Sequence, residues 1–393
     1  MNFVNTAPAP VTKPVQTLPL LAALVGFVAV VALSTPHGGV RYGVASFVGL
    51  LAGFTLYHAA FGFTAAWRNM VTQRRGQGLR AQMLLLAGAC ALTFPLIAYG
   101  PPVDDVGLRS GAWVLPFGVR AAIGAFIFGV GMQLGGGCGS GTLFTVGGGS
   151  TRMVITLAFF IVGSLIGTWH LPAWSGLPSL PAFSVVREYG PLAGWLLIAA
   201  VCGAIWWVSR RVERSSHGAL EPPRQGGSWL TGPWSHTLGV VGLIIVSVAT
   251  ILTLGRPWGI TSGFALWGAK IATTMGMDVT AWPYWSGGRA RAIERSVFAD
   301  ATSVMNFALI SGAMAAAALA ARFAPVWKLT FRDVATAVVG GLLLGYGARL
   351  AYGCNIGAYL GGIVSGSLHG WLWGIFAFAG SSLMALGRKR FNF

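Results

Sequence analysis

The chain has 393 residues, of which 55% are hydrophobic and only 9% charged. A soluble domain carries about 25% charged residues, so an ordinary soluble fold is excluded. The formal charge is +17, from 26 Lys and Arg against 9 Asp and Glu. The basic residues sit mostly between apolar runs, where they orient a membrane protein, so nucleic acid is not an expected partner.

In chain order, the first apolar run covers 18–33. Lys13 is the only charged side chain before it, so it is read as a retained span and not a signal peptide. The next piece, 44–67, is apolar but broken by Gly and polar residues. It leads to Arg68, Arg74, Arg75 and Arg80. Full spans are predicted over 80–99, 117–136, 153–169, 191–208, 236–254, 300–323, 333–352 and 368–387, since about 17–25 apolar residues cross a bilayer. Three further pieces, 139–150, 258–275 and 355–365, are short or broken. Irregular backbone at membrane depth must be buried in protein or line a wet cavity. All four broken pieces are therefore expected to be re-entrant half-helices.

The predicted fold is an all-α polytopic membrane protein, one transmembrane domain over 1–393, with about nine spanning helices. With the loop 68–80 placed in the cytoplasm, the loop 210–224, Lys328, Arg332 and the Arg388–Arg390 tail fall inside. Asp104–Asp105 and the loop 171–190 fall outside. Arg289, Arg291 and Arg295 also fall outside, against the positive-inside rule.

The chain contains an internal repeat. Gly129 to Gly141 reads GVGMQLGGGCGSG, and Gly345 to Gly357 reads GYGARLAYGCNIG. At an offset of 354 − 138 = 216 the pairs Gly129/Gly345, Gly131/Gly347, Leu134/Leu350, Gly137/Gly353, Cys138/Cys354 and Gly141/Gly357 match. After a one-residue insertion, Gly163-Ser164 matches Gly380-Ser381. The expected halves are 41–208 and 236–390, joined by a cytoplasmic linker, 209–235. The helices leading to the two copies enter from opposite sides, which makes the repeat inverted. Such folds place a substrate near the midplane, where broken helices meet.

Glycine lets backbone approach a ligand closely. A short helix is expected to start near Ser140 and another near Asn355, both good capping residue types. Helix N-termini present free N–H groups and favour an anion. Cys138 with Gly137, Gly139, Ser140 and Gly141, and Cys354 with Gly353, Asn355 and Gly357, thus form a candidate anion path lined by sulfur. The competing reading is tight helix packing through small residues. Arg349 is either an intramembrane anion attractor or a residue snorkelling at the rim; its repeat partner is Gln133. His58 is read as a satisfied polar group. Cys90 and Cys202 lie inside apolar runs as small hydrophobes. With no CxxC spacing and no GxxxxGK[ST] segment, no metal, cofactor or ATP site is expected.

The two GxGxxxxxGCxxG segments resemble those of the YeeE/YedE sulfur-transport family of inner-membrane proteins, as does Trp258-Gly259-Ile260-Thr261-Ser262. The resemblance runs from about Gly43 to Lys389. It implies an hourglass-shaped bacterial inner-membrane protein that imports thiosulfate or a related sulfur anion. It also implies pore cysteines that touch the anion, here Cys138 and Cys354, and a sulfurtransferase-type acceptor in the cytoplasm. One departure stands out: Gly62 occupies the position where the family often has a further cysteine. The alternative is a membrane sulfurtransferase-type enzyme carrying a persulfide on Cys138. That thiol would need an activating neighbour.

Overall fold

The computed structural model describes residues 14–100 and 107–391. Asp104–Asp105 lie outside them. Among the described residues, nine helical stretches are long and apolar enough to cross a membrane.

Helix α1 (Thr17–Ala59) kinks at Gly39, where φ is 58°, three residues after Pro36. Pro removes a helix hydrogen bond and Gly tolerates the turn, which is the usual cause of such kinks. The break expected somewhere within 44–67 is confined to residues 60–62. Ala60 adopts a left-handed conformation and α2 (Phe63–Gln73) follows. Then come α3 (Gln77–Tyr99), α4 (Val119–Gly135), α5 (Gly139–Gly147), α6 (Thr151–His170) and α7 (Val185–His217). In the second half follow α8 (His236–Leu254), α9 (Ile260–Thr274), α10 (Gly288–Glu294), α11 (Ala301–Leu319) and α12 (Phe331–Leu350). A π-helical turn, Asn355–Leu360, runs into α13 (Gly361–Val364), and α14 (Leu368–Phe391) closes the chain. At about 1.5 Å per residue, α5 is less than half the length that a bilayer core requires.

The two halves pack reciprocally. A Cβ on Gly131 would lie 3.1 Å from the Gly340 carbonyl, and one on Gly347 would lie 2.6 Å from the Gly124 carbonyl. A Cβ on Gly129 would lie 2.1 Å from the Ala377 carbonyl, as one on Gly345 would lie 2.3 Å from that of Phe160. Gly163 meets Leu342 and Gly380 meets Phe126 in the same way. Each contact is the image of its partner under the repeat offset, as a pseudo-twofold requires. Gly124 lies against Leu350 and Ala351 while Gly135 lies against Gly340. Helices α4 and α12 therefore cross antiparallel, and the two cysteine motifs are approached from opposite faces. For these upstream glycines the packing reading holds: small residues let the helices touch.

One face gathers basic loops. Glu213 receives Arg75 at 3.3 Å and Arg80 at 2.6 Å. On the opposite face a two-residue β1 (Phe117–Gly118) pairs antiparallel with β2 (Ser179–Leu180). The linker expected over 209–235 is partly helix, since α7 runs to His217. The remainder packs against the α1–α2 break. Trp234 donates its backbone N–H to the His58 carbonyl at 2.9 Å, and Arg224 donates to the Ala59 carbonyl at 2.8 Å. His58 is buried and stacked on Trp234. The Leu230 backbone hydrogen-bonds the ring while Nε2 has no protein partner, so the satisfied polar group that the sequence suggested is half satisfied.

Candidate substrate site

Cys138 and Cys354 are themselves the N-caps of their short helices, with φ/ψ of −90°/−166° and −107°/−170°. The short helices start at Gly139 and Asn355, as expected near Ser140 and Asn355, but the capping residues are the thiols themselves. The Cys138 carbonyl accepts the Thr142 N–H at 2.8 Å, and that of Cys354 accepts the Ala358 N–H at 2.8 Å. Glycine at 139 leaves the first turn free to close this early. The Cys138 sulfur accepts the Gly141 N–H at 3.4 Å and lies 3.5 Å from Ser140 Oγ.

Both thiols are buried. A Cβ on Gly139 would lie 2.9 Å from the Cys354 sulfur and 3.3 Å from Thr261 Cγ2. The starts of α5, α9 and the π turn therefore meet at one point, bringing Cys354, Gly139 and Thr261 together. A Cβ on Gly141 would lie 3.5 Å from the Cys138 sulfur and one on Gly357 would lie 3.3 Å from the Trp258 carbonyl, while Gly137 faces Met153. Gly353 receives the Trp373 indole N–H on its carbonyl at 3.3 Å. Gly137 and Gly353 therefore support the site through packing.

Arg349 is buried. It is 8% exposed and donates to Thr261 Oγ1 at 2.7 Å and Tyr284 Oη at 3.2 Å, while its Nε has no protein partner. Its repeat partner Gln133 donates to the Thr64 carbonyl at 3.1 Å and Ser381 Oγ at 2.8 Å. Thr64 and Thr261 are each the second residue of their helix, α2 and α9, so the two contacts are repeat images. Asn355 is fully buried, and neither atom of its amide has a protein partner. Native proteins leave few such groups, because each one costs its full desolvation.

Beside the site is a cavity of about 30 Å³, lined by Ala52, Ser140, Thr250, Trp258, Ile356 and Gly361 among others. That is room for one or two waters, and less than a polyatomic anion needs. Cys90 donates weakly to the Ile363 carbonyl at 3.5 Å, and Cys202 is buried in the same core. Sequence reasoning did not identify Tyr284, which comes from a separate loop. Thr261 lay inside the quoted Trp258–Ser262 run but was given no role.

A bundle of crossing helices and opposed half-helices, with N-termini converging on buried thiols, defines a polytopic membrane protein of the inverted-repeat, broken-helix type. The profile of the family described as sulphur transport matches residues 58–383, and the chain belongs to that family. It is 26% identical over 360 residues to the thiosulfate transporter TsuA of Spirochaeta thermophila, covering 86% of this chain and 96% of that one. With TsuA of Escherichia coli (strain K12) it shares 25% identity over 352 residues, 84% of this chain and 90% of the relative. The probable transporter YedE of Escherichia coli (strain K12) is 29% identical over 154 residues, so the match spans only 38% of that relative's length.

Proposed function

We propose that this protein carries thiosulfate, or a closely related small sulfur anion, across the bacterial inner membrane along a path that passes Cys138 and Cys354. The carrying observation is that the repeat delivers one buried thiol per half to the N-terminus of a half-helix, with the start of α5 lying against the Cys354 sulfur. An anion inside a membrane must replace its lost water. Helix N-termini supply N–H groups and positive potential. Thiols are weak donors suited to a large, soft terminal sulfur, and weak sites allow release. The small cavity corresponds to a closed constriction, so conduction requires local opening. In this reading the C-terminus is cytoplasmic, the halves 41–208 and 236–390 carry one thiol each, and a sulfur-accepting protein receives the anion inside.

A persulfide-carrying enzyme fits less well. An activated thiol needs a base or cation beside it, and the polar neighbours of Cys138 are Ser140 and the Gly141 N–H. The test is uptake of radiolabelled thiosulfate into proteoliposomes. Intact thiosulfate should accumulate above protein-free vesicles. Absence of uptake, or label left on the protein as persulfide, would reject the reading.

A further inference from the structure

Five tryptophans are buried among the described residues. Four donate their indole N–H: Trp67 to Gln82 Oε1 at 2.8 Å, Trp234 to the Trp229 carbonyl at 3.0 Å, Trp285 to Thr168 Oγ1 at 3.1 Å and Trp373 to the Gly353 carbonyl at 3.3 Å. The fifth, Trp258, is 4% exposed and its Nε1 has no protein partner. A buried indole normally finds an acceptor, so this exception calls for a reason.

Trp258 lines the cavity beside the site, together with Ser140 and Ile356. The other hydroxyls there are committed. Ser247 donates to the Leu243 carbonyl at 2.9 Å, Thr250 donates to the Val246 carbonyl at 2.7 Å, and Ser140 lies against the Cys138 sulfur. The Trp258 backbone packs on Gly357 at the first turn of the π helix. That turn begins with Asn355, whose amide is also unpartnered. Two uncommitted buried donors are thus found close together in the chain's packing: the Asn355 amide directly after Cys354, and the indole of Trp258, which packs by its backbone on Gly357 and lines the cavity. A ligand matching these two donors must accept hydrogen bonds through at least two atoms. A tetrahedral sulfur oxyanion does this.

We propose that Trp258 is a specificity-determining residue of the transport path. Its indole N–H donates to one oxygen of the anion at the Cys354 half-site, and the Asn355 amide donates to a second. This rests on the thiosulfate reading above. The terminal sulfur is then left to the thiol, so the oxygen end and the sulfur end are read by different groups. The unpartnered atoms are the cost, to the anion-free protein, of a site shaped for an acceptor.

The test compares wild type with Trp258→Phe, which keeps a ring and removes the N–H, and with Asn355→Leu, which keeps the bulk and removes both amide atoms. Ser247→Ala serves as the control. Thiosulfate binding to purified protein is measured by calorimetry, uptake in proteoliposomes, and the melting temperature without anion. Trp258→Phe should weaken Kd and raise KM by about tenfold or more, and Ser247→Ala should change neither. Asn355→Leu should match or exceed the wild-type melting temperature without anion, yet lose the rise that thiosulfate gives wild type. Wild-type affinity in Trp258→Phe overturns the proposal. If Trp258→Phe is not recovered folded, Asn355→Leu decides alone: an undiminished thiosulfate-induced rise overturns it. Wild-type protein that neither binds nor transports thiosulfate overturns the transport reading and this one together.

Discussion

The two cysteine half-sites share one backbone plan and differ in what surrounds it. In the first half Cys138 caps a regular helix, takes the Gly141 N–H on its sulfur and sits beside Ser140. The position matching Asn355 is Gly139, and the polar residue five before the thiol is Gln133. In the second half Cys354 caps a π turn with no side-chain cap bond. Asn355 follows it, and Arg349 stands in place of Gln133. Even the turn before the thiol differs: Gly136 has φ 89°, whereas Tyr352 holds the same left-handed region at φ 66°. A non-glycine residue there is strained. Tyr352 is held in place by the Arg120 guanidinium, 2.9 Å from its hydroxyl.

This difference separates what symmetry must provide from what chemistry adds. The glycine contacts that let α4, α6, α12 and α14 interlock are reciprocal, because both halves solve the same packing problem. The donors are not reciprocal. In the second half a cation reaches Thr261, which meets the Cys354 site through Gly139, and an orphan amide follows Cys354, while the partners of Gln133 in the first half are a carbonyl and a hydroxyl. An anion stepping between the thiols would meet strong ligands on one side and weaker ones on the other. In the proposed reading such a path would have two stations of unequal affinity, not two copies of one.

The most severe way to break the comparison is to remove each thiol. If both are stations, Cys138→Ala and Cys354→Ala should each slow thiosulfate uptake by on the order of tenfold or more, equivalent to about 1.4 kcal/mol or more in barrier height. Cys90→Ala and Cys202→Ala should remain near wild type, since Cys90 makes one weak bond in a packed core and Cys202 only packs. The measurement is labelled uptake for the four variants at matched expression. A Cys90→Ala variant as impaired as Cys138→Ala would mean that cysteine loss acts through stability.

A milder change makes the halves more alike. Arg349→Gln gives the second half the residue of the first and removes a charge within reach of Thr261. Uptake KM for a dianion should rise about tenfold, as charge-assisted bonds are roughly twice as strong as neutral ones. Thiosulfate concentration series on proteoliposomes would show this. An unchanged KM in normally folded protein would leave Arg349 only the structural role of tying α12 to Tyr284.

Much of this was readable in advance, for physical reasons that can be named. The spans were legible because bilayer thickness sets their length, and the repeat was legible because its packing glycines cannot be replaced. The helix starts were legible to within a residue, but the caps were assigned to Ser140 and Asn355 because cysteine is not a preferred cap, whereas Cys138 and Cys354 hold those positions. The 60–62 break was drawn too wide because the Pro36–Gly39 kink, not the break, interrupts the apolar pattern. Residues 209–217 looked like linker because their charges, Glu213 among them, are polar by sequence, yet Glu213 is buried against Arg75 and Arg80. The asymmetry of ligands was half visible. Asn355 and Arg349 could be singled out, but their orphan atoms and the Tyr284 contact depend on distant loops.

The smallest expected effect sharpens the comparison at the caps themselves. Serine is a good N-cap, and a hydroxyl at 138 can keep the bond that the sulfur now makes with the Gly141 N–H. Cys138→Ser should therefore fold with stability within about 1 kcal/mol of wild type, the usual worth of a cap. At 354 no cap bond of that kind exists, and the side chain is fully buried. A hydroxyl placed there has more water to lose and no cap to form, which costs about 1–3 kcal/mol for an unsatisfied group. Cys354→Ser should thus melt below Cys138→Ser when both are unfolded in the same detergent without anion. Neither should restore transport, because oxygen is harder than sulfur and holds its water more tightly. If the two serine variants melt together, the capping asymmetry has no energetic weight. The inequality of the two stations would then rest on Arg349, Asn355 and Trp258 alone.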